Sequence, residues 1–485
     1  MSDLKKRASK ALVWSLLGSY GGQFFSFLIS ILLARLLTPE DFGLVGMSMV
    51  FIGMLNIFRG MGFSDALVQN ESNTSLTYSS VFFLNISAGL ILTFALFFSA
   101  PFIGAFYKNP IITDLVRLLS VSFFVNSFNI VHETILSKKL DFKRLTSRNL
   151  ISQLIAGIVA VVFAYFDYGL YALVIQQIVA VFLSTLMIWK ITDWYPKWEF
   201  SWNEIKNLGN FSKYVFAASS VNKILEQLDT LIIGKLFSPS TLGFFTRANS
   251  LNKLIIQNSS GSITAVFFPT LVQVQNDPER FEKIYLRVIN IVASVAVFLT
   301  SVFYLLGEEL IIGLFGAKWQ SSIPIFHILI LKGFTFPISA MIVNAFMAKG
   351  KSKANFHFGN IRKLLQVVPL FIAYYWGFYP FLYAHIVVAF ATWILNNLFA
   401  HVSLNIPIKK QTLAVLPHLF FSFIIVLGIV ILLPNGFSYF WAVVKVIAYA
   451  VLFAIYVKST NAPILKEGVQ LIMQLKKRFD GNENK

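Results

Sequence analysis

The chain contains no cysteine, which excludes a disulfide framework, thiolate metal sites and thiol catalysis while leaving the compartment open. Charge is scarce as well. Only 13% of residues are Asp, Glu, Lys or Arg, and acids number 22 against 40 bases. A chain of 485 residues with so few charges cannot give a globule a water-facing surface. No G-x-S-x-G or phosphate-loop motif occurs and, apart from the adjacent His132 and Glu133, no His/Asp/Glu grouping has metal-ligand spacing. The sequence therefore assigns no catalytic residue, no metal and no cofactor. What it has instead is 56% hydrophobic residues, 51 Phe and a mean hydropathy of +0.70. These point to an all-α polytopic membrane protein.

A membrane-crossing helix needs about 20 mostly apolar residues, because it rises about 1.5 Å per residue through about 30 Å of hydrocarbon. Such segments lie near residues 12–37, 42–63, 78–100, 113–136, 149–167, 169–189, 208–236, 241–268, 284–306, 320–347, 360–377, 379–403, 412–433 and 437–457. The basic N-terminus MSDLKKRASK runs into the first of them with no small-residue cleavage site, so that run is read as a span and not a signal peptide. Thr38-Pro39-Glu40-Asp41, Ser238-Pro239-Ser240 and Pro434-Asn435-Gly436 supply residues that stop or cap helices at the breaks.

Alternate loops hold most of the Lys and Arg, among them Lys138, Lys139, Lys143, Arg144 and Arg148, and later Lys349, Lys351 and Lys353. Basic residues are retained in short cytoplasmic loops, so both termini are expected on the cytoplasmic side of the inner (cytoplasmic) membrane. The net charge of +18 is then mostly an orientation signal, and a nucleic-acid partner is not expected. The loop between the second and third spans has no Lys or Arg, so the second span has the least support.

The sequence also repeats. ILLARLLTPEDFGL at residues 31–44 aligns with LIIGKLFSPSTLGF at 231–244, each joining an outward-running helix to the next. Six spans separate the copies, so the halves share an orientation, as in parallel-repeat transporters with a site between the lobes. The expected organisation is a first lobe over 1–203 with spans 1–6 and a second over 204–405 with spans 7–12. Spans 13 and 14 occupy 406–460. A surface-lying amphipathic tail covers 461–485, with Leu465, Ile472, Leu475 and Phe479 on one face.

The LARLLTPEDFGL junction, the LFSPSTLGFFTRANSL segment, the region around Pro269 and the fourteen-span layout resemble the polysaccharide-transporter branch of the multidrug/oligosaccharidyl-lipid/polysaccharide exporter superfamily. The likeness covers nearly the whole chain and is greatest to flippases of the colanic-acid and teichuronic-acid type. The resemblance implies a two-lobed carrier that turns undecaprenyl-diphosphate-linked oligosaccharides from the cytoplasmic to the outer leaflet. Its partners would be that lipid-linked substrate, the membrane lipids, and a polysaccharide polymerase or export complex.

Charges inside spans ask for an explanation of their own. Lys or Arg at a helix centre costs about 2.5–3.5 kcal/mol in lipid, so Lys223, Lys253 and Lys332 should face a cavity or a partner. Lys223, Glu226, Thr230 and Gly234 share one face of the seventh span, with Asp229 beside it. Thr246, Ser250, Lys253 and Gln257 form a stripe on the eighth, with Arg247 next to it. Lys332 precedes Thr335 and a kink expected at Pro337. Arg59 lies near an inner helix end, Arg35 and Arg117 near outer ends. An excess of such cations suits an anionic diphosphate headgroup in a water-accessible cavity. The bland alternative is that Lys223 pairs with Glu226 or Asp229 while Arg35, Arg59 and Arg117 snorkel to lipid headgroups.

Glu226 and Asp229 are also candidates for coupling transport to protons or sodium. His132 and Glu133 read as interface residues. The stripe Ser15, Ser19, Gly22, Ser26 and Ser30 on the first span reads as a helix-packing face. Two rival functions stay open: a multidrug or cation antiporter of the same superfamily, which would want excess carboxylate in its cavity, and a membrane glycosyltransferase or polymerase, which would want acidic groups on a substantial external loop.

Overall fold

The computed structural model of the chain describes residues 2–58 and 60–460; Arg59, the tail expected over 461–485 and the side chain of Gln257 lie outside the described residues. Among the described residues every regular element is helical. Contacts divide the chain into two compact units, residues 1–246 and 247–485, a partition distinct from the repeat-based lobes.

The first unit holds α1 (Ser2–Leu36), α2 (Pro39–Leu55), α3 (Phe63–Gln69), α4 (Ser75–Tyr107), α5 (Ile111–Ser127), α6 (Ile130–Lys138), α7 (Phe142–Tyr165), α8 (Tyr171–Ile191) and α9 (Trp202–Leu236). Then α10 (Pro239–Gln273) begins in this unit and ends in the second. Helix starts carry side-chain oxygens where backbone N–H groups would otherwise be orphaned. Thr38 and Asp41 form a capping box at α2, and Asp141 accepts from the Arg144 amide at α7. α1 lies along α7 through the small-residue stripe. A Cβ at Gly18 would meet Thr146 and one at Gly22 would meet Gln153, while Ser26 donates to Gln153. The core under α3, α4, α6 and α9 is Phe63, Leu67, Val81, Phe82, Val131, Ile135 and Leu208.

The second unit adds α11 (Pro278–Leu305), α12 (Gly307–Phe315), α13 (Ser322–Leu331), α14 (Thr335–Ala348), α15 (Ser352–Leu365), α16 (Val368–Trp376), α17 (Phe378–Leu404), α18 (Ile408–Leu413), α19 (Leu416–Leu432) and α20 (Tyr439–Ser459). Phe281, Tyr285, Ile289, Met341, Phe346 and Trp393 form the larger core. A smaller one holds α20 against α11 and α19 through Leu305, Ile429, Tyr449 and Phe453. Across it runs a polar ladder: Ser301 Oγ lies 2.6 Å from Ser422 Oγ, which lies 2.8 Å from the Tyr449 hydroxyl. Away from protein there is little to hide, and Phe102 and Leu432 stay 77% and 80% exposed, as a lipid-facing surface allows.

All the apolar segments expected as spans fall on helices. Among the described residues ten helical segments are long and apolar enough to cross a membrane, or eleven if α5 and α6, bent by 43°, count as one. The second span is α2 followed by a short 3-10 turn and α3. Not among those segments are α9, α10 and the α15–α16 pair, which carry Lys223, Glu226, Asp229, Arg247, Lys253, Arg362 and Lys363. The least apolar of the fourteen expected spans therefore include the two with the densest candidate site charges.

The kink expected at Pro337 sits earlier, at residues 332–334, where α13 stops and α14 begins. Proline has no N–H to donate four residues back, so the helix breaks before it and Pro337 occupies the tolerant first turn of α14.

Candidate functional site

The two copies of the repeat meet inside the first unit. Thr38 and Ser238 each cap a helix whose first residue is proline. The Thr38 hydroxyl accepts from the Asp41 amide at 3.2 Å, and the Ser238 hydroxyl from the Thr241 amide at 3.1 Å. Five residues into each helix stands a glycine. A Cβ on Gly43 would lie 1.8 Å from the Pro239 carbonyl oxygen, and one on Gly243 would lie 1.9 Å from the Pro39 carbonyl oxygen. Only glycine permits this approach. Just beyond, Gly46 faces Leu242, and Gly234 faces Met47 and Tyr107.

On α9, Lys223 Nζ donates to Glu226 at 3.0 Å, and both side chains are more than half exposed. One residue further, Gln227 reaches Gly53 of α2, which fixes the depth at which the pair sits. Asp229 is half-buried and engaged by neighbours.

In the second unit Lys253 of α10 is exposed. One turn on, Ile256 presses against Gly333, where a Cβ would lie 2.1 Å from the isoleucine methyl. That contact sets the segment carrying Lys253 beside the turn carrying Lys332. The Lys332 carbonyl accepts from the Thr335 hydroxyl at 2.7 Å, and the Lys332 side chain is half-buried and engaged. Arg247 differs: it is only 6% exposed, and its guanidinium stacks over Phe315 and Trp319 at 4.9 and 5.2 Å. It is held as a packed group rather than displayed.

Of the remaining cations, Arg35 is exposed at the end of α1. Arg117 is half-buried with its guanidinium 5.2 Å from the Phe97 ring centre. Among the described residues no group of three or more His, Asp or Glu side chains is placed to hold a metal ion.

Sequence reasoning missed a buried polar centre in the first unit. Arg148, counted there among loop charges, is 4% exposed and donates to Glu133 at 2.8 Å and to Asn149 at 2.7 Å. His132, expected at the interface, is fully buried because Phe82, Trp189 and Trp194 close around it. The signal available was a His–Glu pair followed fifteen residues on by an arginine; the aromatic lid comes from elements distant in sequence. A second polar hub, centred on the buried Asn396, lies in the other unit. Arg362 donates to Asn396 at 2.8 Å and to Asn355 at 3.2 Å, and Asn396 donates to Ser339 at 3.0 Å, tying α15 to α17 and α14.

With this geometry in place, a family model described as polysaccharide biosynthesis protein matches residues 32–324. The succinoglycan biosynthesis transport protein ExoT of Rhizobium meliloti is 25% identical over 338 residues, 70% of this chain and 68% of its own. The lipopolysaccharide biosynthesis protein WzxC of Escherichia coli is 22% identical over 342 residues, 70% of this chain and 69% of its own. Among solved structures, the lipid II flippase MurJ in an inward closed conformation superposes with a TM-score of 0.71 at 16% identity, covering 92% of this chain and 98% of that one. An inward-facing multidrug resistance MATE family transporter of the MOP superfamily gives 0.63 at 15% identity, covering 81% and 99%.

Proposed function

Since the chain belongs to the polysaccharide biosynthesis protein family and has the fold of the multidrug/oligosaccharidyl-lipid/polysaccharide exporter superfamily, we propose that it is a carrier that flips a lipid-linked oligosaccharide across the cytoplasmic membrane by alternating access. The substrate of this reading is an undecaprenyl-diphosphate-linked precursor of a cell-surface polysaccharide, picked up on the cytoplasmic side where both termini lie. The relatives and fold neighbours are transport proteins, so the glycosyltransferase or polymerase alternative is set aside.

One observation carries the proposal: Lys223 and Lys253 stand exposed at the middle of α9 and α10, helices too polar to sit in lipid comfortably. A lysine there costs about 2.5–3.5 kcal/mol against hydrocarbon, so both face water within the membrane. In the second unit Lys253 and Lys332 offer donors to the oxygens of a diphosphate, whose charge-assisted bonds strengthen as water is excluded, and Lys223 offers the same chemistry in the first unit. Arg247 supports this surface from behind through its aromatic stack, while Arg35 and Arg117 bind lipid headgroups at helix ends. A cationic-drug antiporter would need carboxylate in excess of cations, whereas Glu226 is matched by Lys223 on α9 and Lys253 stands exposed on α10.

Deletion of the gene followed by leaflet-resolved analysis of lipid-linked oligosaccharides tests the function. Complete units accumulating on the cytoplasmic leaflet are the expected result. Incomplete units would mean that the protein builds the glycan, and an unchanged distribution that it does not move it.

A further inference from the structure

His132 has no role in the transport reading, yet its surroundings are unusual. The ring is fully buried, and neither nitrogen has a hydrogen-bond partner. Its centroid lies 4.7 Å from the Trp189 ring, 5.2 Å from Trp194 and 6.3 Å from Phe82. A buried imidazole left without partners in an aromatic box carries the full desolvation penalty of its unmade hydrogen bonds. A second state in which the nitrogens are used would recover that penalty.

The charged groups around the ring narrow what that state is. α4 contributes Phe82 and carries no charge between Ser75 and Tyr107. α3 turns Phe63, Ala66 and Leu67 inward and leaves Asp65 exposed. α8 and the segment after it contribute Trp189 and Trp194, with Lys190 and Asp193 exposed. α7 contributes Arg148, whose Nη1 has no partner although the side chain is 4% exposed. On α6 itself Glu133 adjoins the ring, and Arg148 and Glu133 are the two charges that act on it. One turn before it, Asn129 is 1% exposed and its side-chain oxygen is an acceptor without a donor.

We propose that His132 is a proton-binding site whose charging loosens the Glu133–Arg148 ion pair and frees α6 from α7. One proton from water adds to the free ring nitrogen, and no other bond is made or broken covalently. The imidazolium then has two N–H donors. Asn129 Oδ1 and the Glu133 carboxylate, 29% exposed and open to water on one side, are the acceptors on the same helix. Two cations now share one carboxylate in a poorly screened interior, so Arg148 is displaced. α6 is free to respond because residues 128–129 already break the helix and bend it by 43° from α5. In the second unit the half-buried Arg362 is tied instead to the neutral amides of Asn396 and Asn355. The proposal stands on the first unit alone and does not depend on the identity of the glycan.

The two indoles provide the readout, since an imidazolium in contact with tryptophan quenches its fluorescence. The full-length protein in detergent is titrated from about pH 8 to about pH 4, with amide exchange of residues 130–138 followed after correction for intrinsic rates. The wild type is expected to show a one-proton quenching step and about tenfold loss of α6 protection on the acid side. His132→Gln should abolish both, and Glu133→Gln, which removes the ion pair with Arg148, should keep the quenching step while losing the pH dependence of α6 protection. Should His132→Gln fail to fold, the double variant Trp189→Phe with Trp194→Phe, which keeps the imidazole, must lose the quenching while keeping the acid loss of protection. A wild type without a quenching step, a step that persists in folded His132→Gln, or wild-type α6 protection that is independent of pH would each overturn the proposal.

Discussion

Gly43 and Gly243 stand at equivalent places in α2 and α10, and each is pressed against the proline carbonyl that opens the other's helix. The relation is reciprocal to within 0.1 Å, 1.8 against 1.9 Å for a Cβ placed at either position. Two stretches of sequence two hundred residues apart thus do more than look alike: they pack as a symmetric pair about one point.

That pairing makes Gly43→Ala and Gly243→Ala equivalent tests. The intruding methyl meets backbone, which cannot rotate away, so each should destabilise the purified protein by about 1–3 kcal/mol. Thermal unfolding in detergent should show similar losses for both. A double variant no worse than either single one would mark the two contacts as a single unit. Unaltered stability in both would show that the helix starts separate freely.

Lys223 and Glu226 should each contribute little to stability, and Lys223 should matter for export. Both are more than half exposed, so their pairing is worth about 0–1 kcal/mol and Glu226→Gln should leave thermal unfolding nearly unchanged. Lys223→Gln, with normal membrane abundance, should lower glycan export at least several-fold. Full export from that variant would remove Lys223 from the substrate path.

Lys253 and Arg247 lie less than two turns apart on α10 but in different surroundings. Lys253→Gln is expected to lose export while keeping stability. Arg247→Gln should lose about 2 kcal/mol of stability by emptying its place over Phe315 and Trp319. Trp319→Leu should reproduce part of the Arg247 loss. Melting curves beside an export assay separate the two cases, and matching profiles for the two residues would contradict the distinction.

Arg362 is expected to be structural. Arg362→Leu leaves the buried Asn396 carbonyl without its donor, at about 1–3 kcal/mol, whereas Arg362→Lys should recover part of the loss. Thermal unfolding of the pair of variants checks the order.

Hydropathy made the helices legible because lipid imposes length and composition together, and the breaks at Thr38-Pro39 and Ser238-Pro239 announced their caps. The repeat was legible as a pattern, but not the reciprocal glycine contact, which depends on two segments meeting. The pairing of Lys223 with Glu226 was readable from helical spacing. The burial of Arg247 and His132 was not: Phe315 and Trp319 cover the first, Phe82, Trp189 and Trp194 enclose the second, and one-dimensional spacing holds no record of which aromatic ring covers which group. Arg148 shows the limit well, since an exposed loop arginine and a buried one paired with Glu133 have the same local sequence.

The 35-residue helices α1, α9 and α10 have one more consequence. At 1.5 Å per residue each is about 52 Å long, well beyond the roughly 30 Å of a bilayer's hydrocarbon core. A helix with that much surplus does not need its ends at the bilayer surface. A thicker or thinner membrane would shift where the water boundary falls along α9 and α10 without shortening the span or forcing a kink. α8 and α20, at 21 residues each, have no such surplus, so a change of bilayer thickness falls on them first, as tilt or as a locally deformed membrane, while α9 and α10 stay as they are.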